Sequence, residues 1–399
     1  MKDETIAVVA GRDPRAHYGA VNTPVYRTST ILFETFEDFA AGLHDPAKRK
    51  YMYGRIGTPT SASLEDAVAQ LEGGAHCRLA PSGLAAITTA LLAFLSTGDH
   101  LLMTIGAYHP THNFCNSMLK QFGVETTYYD PLIGAAIERL IRPNTKVVYV
   151  ESPSTALFEV QDIPAIAQIA HARGAIVMMD NTWASPLYFK PFTHGVDVSI
   201  QAATKYIVGH SDAMLGTITC TEAAWETVKN AHRHLGQMAG PDDIYLALRG
   251  LRTLAARLPV HHKNGLALAR YIATRPEVEH VYHPALEADP GYAMWKRDFL
   301  GASGLFLFRL QPWVTRDALA AMLEALKLFG MGGSWGGYES LVAPFRLKTY
   351  REVTKDQDRW VVRVHAGLEN VDDLIEDLEA GFAKLASLKG TQPVRPLEE

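Results

Sequence analysis

Apolar positions along this chain change their period twice, and the changes divide it. From Ser61 onward Leu64, Ala67, Val68 and Leu71 recur at the spacing of one helical face, and Gly73-Gly74 supplies a stop signal. Short apolar runs then alternate with helical patterns. The runs are Cys77 to Ala80, His100 to Ile105, Val124 to Tyr129, Lys146 to Val150, Ala175 to Met179 and Val196 to Ala203. Helical patterns cover Gly83 to Leu95, about Thr111 to Phe122, and Ile163 to Arg173 before Gly174. Strands that are apolar on both faces belong to a sheet covered on both sides, so the alternation predicts an α/β fold with a mostly parallel sheet.

After about residue 250 the pattern restarts with a long helical stretch. It continues with Gly304 to Leu310 as a strand, Arg316 to Leu328 as a helix, Trp360 to His365 as a strand and Val371 to Leu385 as a closing helix. This reads as a smaller α+β domain. The first sixty residues show little periodicity, carry repeated Gly, Pro and Thr, and lead into Tyr51-Met52-Tyr53-Gly54-Arg55, which reads as an arm. The expected organisation is an arm over 1–60, a large domain over 61–250 and a C-terminal domain over 251–399.

With 47% hydrophobic and 20% charged residues, 399 residues are enough for two domains with a large buried core. A net charge of −5 without a Lys/Arg block argues against nucleic acid and for small-molecule partners. Cys77, Cys115 and Cys220 form no CxxC pair, which speaks against a disulfide framework or a zinc site and for a reducing cytoplasm. The acidic N-terminus lacks a signal-peptide core, and no apolar run reaches bilayer length.

In an open parallel sheet ligands bind beyond the carboxyl ends of the strands. Four groups follow predicted strands there: Ser82-Gly83-Leu84-Ala85 opening a helix, Tyr108, Asp180, and Thr204-Lys205. Together they supply what pyridoxal phosphate (PLP) requires, namely an amine for its aldehyde, an acid for the pyridine nitrogen, an aromatic face for the ring and a helix N-terminus for the phosphate. Singly each has a plainer reading. Lys205 could be a solvated strand-end lysine, Asp180 could cap the turn at Asn181-Thr182, and Gly83 could serve only a tight turn.

The stretch Asp180-Asn181-Thr182-Trp183-Ala184, followed by Ser199-Ile200-Gln201-Ala202-Ala203-Thr204-Lys205-Tyr206 and Val208-Gly209-His210-Ser211-Asp212, resembles the signature of the cysteine and methionine metabolism PLP enzymes. Further matches lie at Tyr53-Gly54-Arg55, Ser82 to Ala86, Arg249 to Leu254 and Ser334 to Ser340, so the resemblance spans nearly the whole chain. It implies the fold-type I architecture. Within the family the chain is most similar to the bacterial cystathionine β-lyase branch. The γ-synthase and γ-lyase branch usually has a serine three residues before the lysine and Asn-Pro-Thr after the preceding strand, where Ala202 and Glu151-Ser152-Pro153 stand here.

The resemblance implies roles. Lys205 would hold PLP and shuttle protons, Tyr108 would stack on its ring, and Asp180 would pair with its nitrogen. The Gly83 and Leu84 N–H groups with Thr204 would hold the phosphate. Tyr53 and Arg55 would reach the phosphate of a neighbouring subunit, giving a shared site in a homotetramer built as a dimer of dimers, with Tyr53 and Tyr108 also near the leaving group. Arg363 would bind the substrate α-carboxylate, a task for which its planar fork is suited, with Ser334 and Trp335 lining the pocket. The implied reaction is α,β-elimination, from cystathionine to homocysteine, pyruvate and ammonia. Two charges of the β-lyase pattern near the distal end of cystathionine are replaced by Ile56 and Asn113, which predicts broader substrate tolerance.

Other motifs carry less. Gly332-Gly333-Ser334-Trp335-Gly336 fits a bare GxSxG but follows a helix pattern and opens no helix, so the nucleophile elbow is missing. His109 with His112, and His261 with His262, lack the Glu or Cys spacing of a metal site, so no metal is expected. The rival readings are a γ-synthase or γ-lyase with the same apparatus, and a regulator that keeps the fold without catalysis.

Overall fold

A computed structural model describes residues 1–44, 51–349 and 358–390. The expected arm and C-terminal domain therefore include positions outside the described residues. Two sheets organise the chain. Strands β1 (His76–Ala80), β2 (His100–Thr104), β3 (Glu125–Tyr129), β4 (Thr145–Glu151), β5 (Ile176–Asp180), β6 (Val198–Gln201) and β7 (Gly216–Cys220) form the first. Their order is β1-β7-β6-β5-β4-β2-β3, parallel throughout except that β7 runs antiparallel to both neighbours. The second sheet holds β8 (Val278–Tyr282), β9 (Leu305–Leu310), β10 (Gly330–Met331), β11 (Leu341–Arg346) and β12 (Trp360–His365) in the order β10-β11-β12-β9-β8. The α/β fold with a mostly parallel large sheet and a smaller α+β unit is the one the hydrophobic pattern predicts.

The central strands are buried apart from exposed Lys146 and half-buried Ile176 near their starts, because their residues are apolar on both faces, with helices on either side. One side of the first sheet packs Ile87, Leu91, Leu101 and Met178, and the other packs Val148, Val150, Ile166 and Val177. Cys77, Cys115 and Cys220 are all buried thiols within this region.

Four expectations are revised. The helix expected over Thr111 to Phe122 begins at His109, because Pro110 is tolerated in a first turn, and it loosens into a π turn over Cys115–Leu119. The strand expected over Val196 to Ala203 is only Val198–Gln201, since the chain leaves the sheet at Ala202 to form the turn carrying Lys205. The segment read as an arm opens with a helix, Asp3–Val9, whose Ile6 and Ala7 are buried beside Leu64, Leu251 and Leu254. The boundary drawn at 250/251 falls inside one continuous helix, Pro241–Ala273. Gly250 is no break there: a Cβ on it would sit 2.1 Å from the Val208 carbonyl oxygen and 2.3 Å from that of Ile207, so its lack of a side chain serves close packing.

Candidate active site

Strand ends of the first sheet and the rim of the second converge on Lys205. Directly after β6 the chain makes a tight turn, with the Lys205 N–H donating to the Ala202 carbonyl at 3.0 Å and the Gly209 N–H to the Lys205 carbonyl at 2.8 Å. The Lys205 ammonium donates from Nζ to Ser334 Oγ at 2.7 Å and lies 5.4 Å from the centre of the Trp335 ring. Gly336 has φ +83°, and a Cβ there would stand 2.9 Å from the Lys205 Cα, so a glycine lets the 333–336 loop pack on the lysine backbone. Burial, reinforced by the Arg363 charge and opposed by Asp180, pushes the Lys205 pKa down to about 8. A lysine in that range is partly neutral, hence nucleophilic, near physiological pH.

Asp180 ends β5 and is buried. Its Oδ1 accepts from the Thr182 N–H at 3.0 Å and the Thr182 hydroxyl at 2.5 Å, while Oδ2 has no hydrogen bond among the described residues. Burial pushes its pKa up; the Thr182 bonds and Lys205 pull it down. A buried carboxylate with one oxygen uncommitted is a fitting acceptor for a ring N–H⁺, since a cationic partner offsets the burial cost.

The helix Gly83–Phe94 opens beside Lys205. Ser82 caps it by accepting the Ala85 N–H at 3.1 Å, and the N–H groups of Gly83 and Leu84 have no acceptor among the described residues. A Cβ on Gly83 would lie 2.6 Å from the Ala202 Cβ, so the helix end sits against the lysine-bearing turn. Two unspent N–H groups at a helix N-terminus suit a phosphate. Thr204 is more committed than its sequence position suggests, for its hydroxyl accepts from the Leu215 N–H at 2.9 Å and donates to the Leu215 carbonyl at 3.2 Å.

Arg363 lies on β12 and donates from Nη2 to the Gly333 carbonyl at 3.0 Å and toward that of Ser334 at 3.4 Å. Ser334, Trp335 and Arg363 thus come to Lys205 from the side of the smaller sheet. The layers are tied by the Trp183 indole N–H, which donates to the Leu305 carbonyl at 3.0 Å, and by the Tyr206 hydroxyl, which accepts the Gly304 N–H at 3.0 Å. Tyr108 is about half exposed; its N–H donates to Glu151 Oε2 at 2.8 Å, and Glu151 faces Asp180 in the β4–β5 register. Tyr53 and Arg55 make their contacts outside this cluster. Tyr53 is exposed and bridges to Thr30, and the Arg55 guanidinium donates to the Arg233 carbonyl at 3.1 Å beside a cavity of about 320 Å³ lined by Tyr26, Ile56, His232 and Asp242.

Glu151 was quoted in the sequence only as a branch marker, yet it ends β4 as Asp180 ends β5, so the strand-end rule could have found it. Burial and the nearby Asp180 push its pKa well up. Glu151 fixes the Tyr108 backbone by accepting its N–H. Among the described residues no cluster of His, Cys, Asp or Glu could hold a metal, and no helix is long and apolar enough to cross a membrane.

Residues 4–383 match the family described as Cys/Met metabolism PLP-dependent enzyme. The chain is 47% identical over 381 residues, 95% of each chain, to a protein named putative cystathionine beta-lyase from Rhizobium johnstonii. It is 46% identical to the cystathionine beta-lyase of Escherichia coli, over 96% of this chain and 99% of that one. Among solved structures it is similar to a cystathionine gamma-lyase from Lactobacillus plantarum complexed with L-serine, with a TM-score of 0.88, 32% identity, and coverage of 97% and 100%.

Proposed function

Since this chain belongs to the Cys/Met metabolism PLP-dependent enzyme family, we propose that it cleaves the Cβ–S bond of L-cystathionine by α,β-elimination, giving homocysteine, pyruvate and ammonia. Its cofactor is PLP. The observation that carries the reading is Lys205, an amine of lowered pKa held by Ser334 between Asp180 and Arg363.

When bound, PLP supplies an aldehyde to carry the substrate amine and a ring that takes up the electron pair left at Cα. Lys205 holds the cofactor through Nζ. Once free, Nζ would take the Cα proton and deliver a proton to the departing sulfur, with Tyr53 or Tyr108 near the leaving group. Proton transfer of this kind contributes about 10²–10⁴-fold. Asp180 keeps a negative charge beside the ring nitrogen through its free Oδ2. The Gly83 and Leu84 N–H groups meet the phosphate, with Thr204 joining while its hydroxyl stays bonded to Leu215. Tyr108 covers the ring, and its backbone is fixed by Glu151. Arg363 orients the substrate α-carboxylate, with Ser334 and Trp335 beside it.

The reading extends to the assembly. Tyr53 and Arg55, whose contacts lie outside their own chain's Lys205 cluster, serve the phosphate of a neighbouring subunit in a homotetramer, a cytoplasmic enzyme of methionine biosynthesis. The chain is organised as arm, large domain and C-terminal domain, with the helix Pro241–Ala273 joining the last two. The test is product identity: pyruvate released from cystathionine by the wild type and abolished in Lys205→Ala. Release of 2-oxobutyrate identifies a γ-lyase instead, and release of nothing identifies a regulator.

A further inference from the structure

Behind Lys205 lies a buried group of rings that the proposed chemistry does not use. Tyr206 packs 5.2 Å from His261, 5.9 Å from His365 and 5.5 Å from Trp335, and the two imidazoles are 5.1 Å apart at their centres with planes 35° from parallel. Both histidines are buried. Burial pushes the pKa of His261 down to about 4 and that of His365 to about 3, so each ring is neutral at physiological pH and carries one N–H.

Where those protons sit can be worked out from the partners. His261 Nδ1 lies 2.8 Å from the Ala366 carbonyl, which only an N–H satisfies, so His261 Nε2 is a bare acceptor, and it has no partner among the described residues. His365 Nε2 lies 3.1 Å from both the Gly336 N–H and the Gly337 carbonyl, two contacts that demand opposite tautomers. With the proton on Nε2, the Gly336 N–H, His365 Nδ1 and His261 Nε2 are all left unsatisfied. With the proton on Nδ1, Gly336 gains its acceptor and the Gly337 carbonyl goes without a donor, while the two ring nitrogens stay without a hydrogen bond among the described residues. The two arrangements differ in which backbone group is orphaned, and a buried N–H without an acceptor is rarer and costlier than a carbonyl without a donor, which decides for the second.

We propose that His365, as the Nδ1–H tautomer, is a positioning residue whose bare Nε2 holds the Gly336 amide. Through that amide it holds the 333–336 loop, which presents the Ser334 hydroxyl to Lys205 and two carbonyls to Arg363. The functional part of this inference rests on the reading of Lys205 and Arg363 as the reaction site; the tautomer and the loop anchor do not.

Three measurements on the PLP-loaded full chain test it. Nitrogen-15 NMR of histidine-labelled protein, assigned by the signal lost in His365→Gln, should show His365 protonated at Nδ1; an Nε2–H tautomer or an imidazolium overturns the proposal. Amide exchange over 333–337 should speed up ~tenfold or more in His365→Leu and return toward wild type in His365→Gln, whose amide oxygen can take the place of Nε2. Unchanged exchange in His365→Leu overturns it. KM for cystathionine should rise about tenfold in His365→Leu and recover in His365→Gln, since one hydrogen bond is worth about that factor; a fall in kcat at unchanged KM points to a merely structural role and overturns it. Should His365→Leu not fold, His365→Asn, whose shorter amide cannot reach Gly336, carries the comparison. If the wild type turns over no cystathionine, the functional reading fails while NMR and exchange still decide this one.

Discussion

A single ammonium group shows how far the surroundings of one residue set its chemistry. Lys205 is lowered by burial and then by Arg363, with Asp180 pulling the other way. Below about pH 8 its amine is protonated and cannot attack an aldehyde. The rate at which PLP attaches to the apoprotein should therefore rise with pH through about 8 and then level off. In Arg363→Ala the midpoint should move upward, because a repelling positive charge is gone; stopped-flow absorbance checks this, and a midpoint unmoved or lowered contradicts the coupling. Asp180 carries a separate expectation. Asp180→Asn should still fix PLP on Lys205 but slow elimination about 10²–10³-fold, the cost of losing one preorganised electrostatic partner. Turnover close to wild type would remove Asp180 from the mechanism.

Elements bring these residues together, and their legibility in the sequence varied for physical reasons. β4 and β5 could be read because runs such as Val147 to Val150 and Val177 to Met179 are apolar on both faces and end in an acid. β7 was missed because its buried residues include Thr217 and Thr219, and polar threonines hide a strand whose hydroxyls turn inward. β11 contains Pro344, and β8 alternates Glu279 and His280 with valines, so neither shows a clean run. The turn that delivers Lys205 was overrun because Ala202 and Ala203 continue an apolar pattern after the backbone has left the sheet. Candidate site residues on the large sheet could be read from strand ends. The anchor of the 333–336 loop was not, because His365 acts across strands on a backbone amide, a relation that leaves no local pattern. At this scale the helix Gly83–Phe94 gives a test. Gly83→Val places atoms where Ala202 already stands, and overpacking of this kind costs roughly 1–3 kcal/mol. The helix end should shift and PLP should bind at least ~tenfold more weakly by fluorescence titration, in line with that cost. An unaltered Kd would mean that the phosphate is held elsewhere.

For the molecule as a whole, substrate range follows from what lies around the site rather than in it. By the resemblance, Ile56 and Asn113 stand where the β-lyase pattern has charges for the distal end of cystathionine; Ile56 offers no charge, and Asn113 is an exposed neutral amide 3.3 Å from His109 Nδ1. A site lacking charged partners gains little from a distant ammonium and carboxylate. S-methylcysteine and cystine should therefore be cleaved with kcat/KM within about two orders of magnitude of cystathionine, measured in one buffer. A wider gap would mean that other residues read the distal end. The three thiols lead to a different use of the same architecture. Cys77 and Cys220 sit on the strands at one edge of the large sheet, and Cys115 opens the π turn near the other side. Burial pushes Cys115 and Cys220 up to about 12 and Cys77 well above the usual thiol range, so none offers a thiolate to an alkylating reagent while the chain is closed. The protein therefore carries its own clock: each thiol reacts only when its part of the sheet opens, and the order in which iodoacetamide marks the three reads out which edge loosens first on warming.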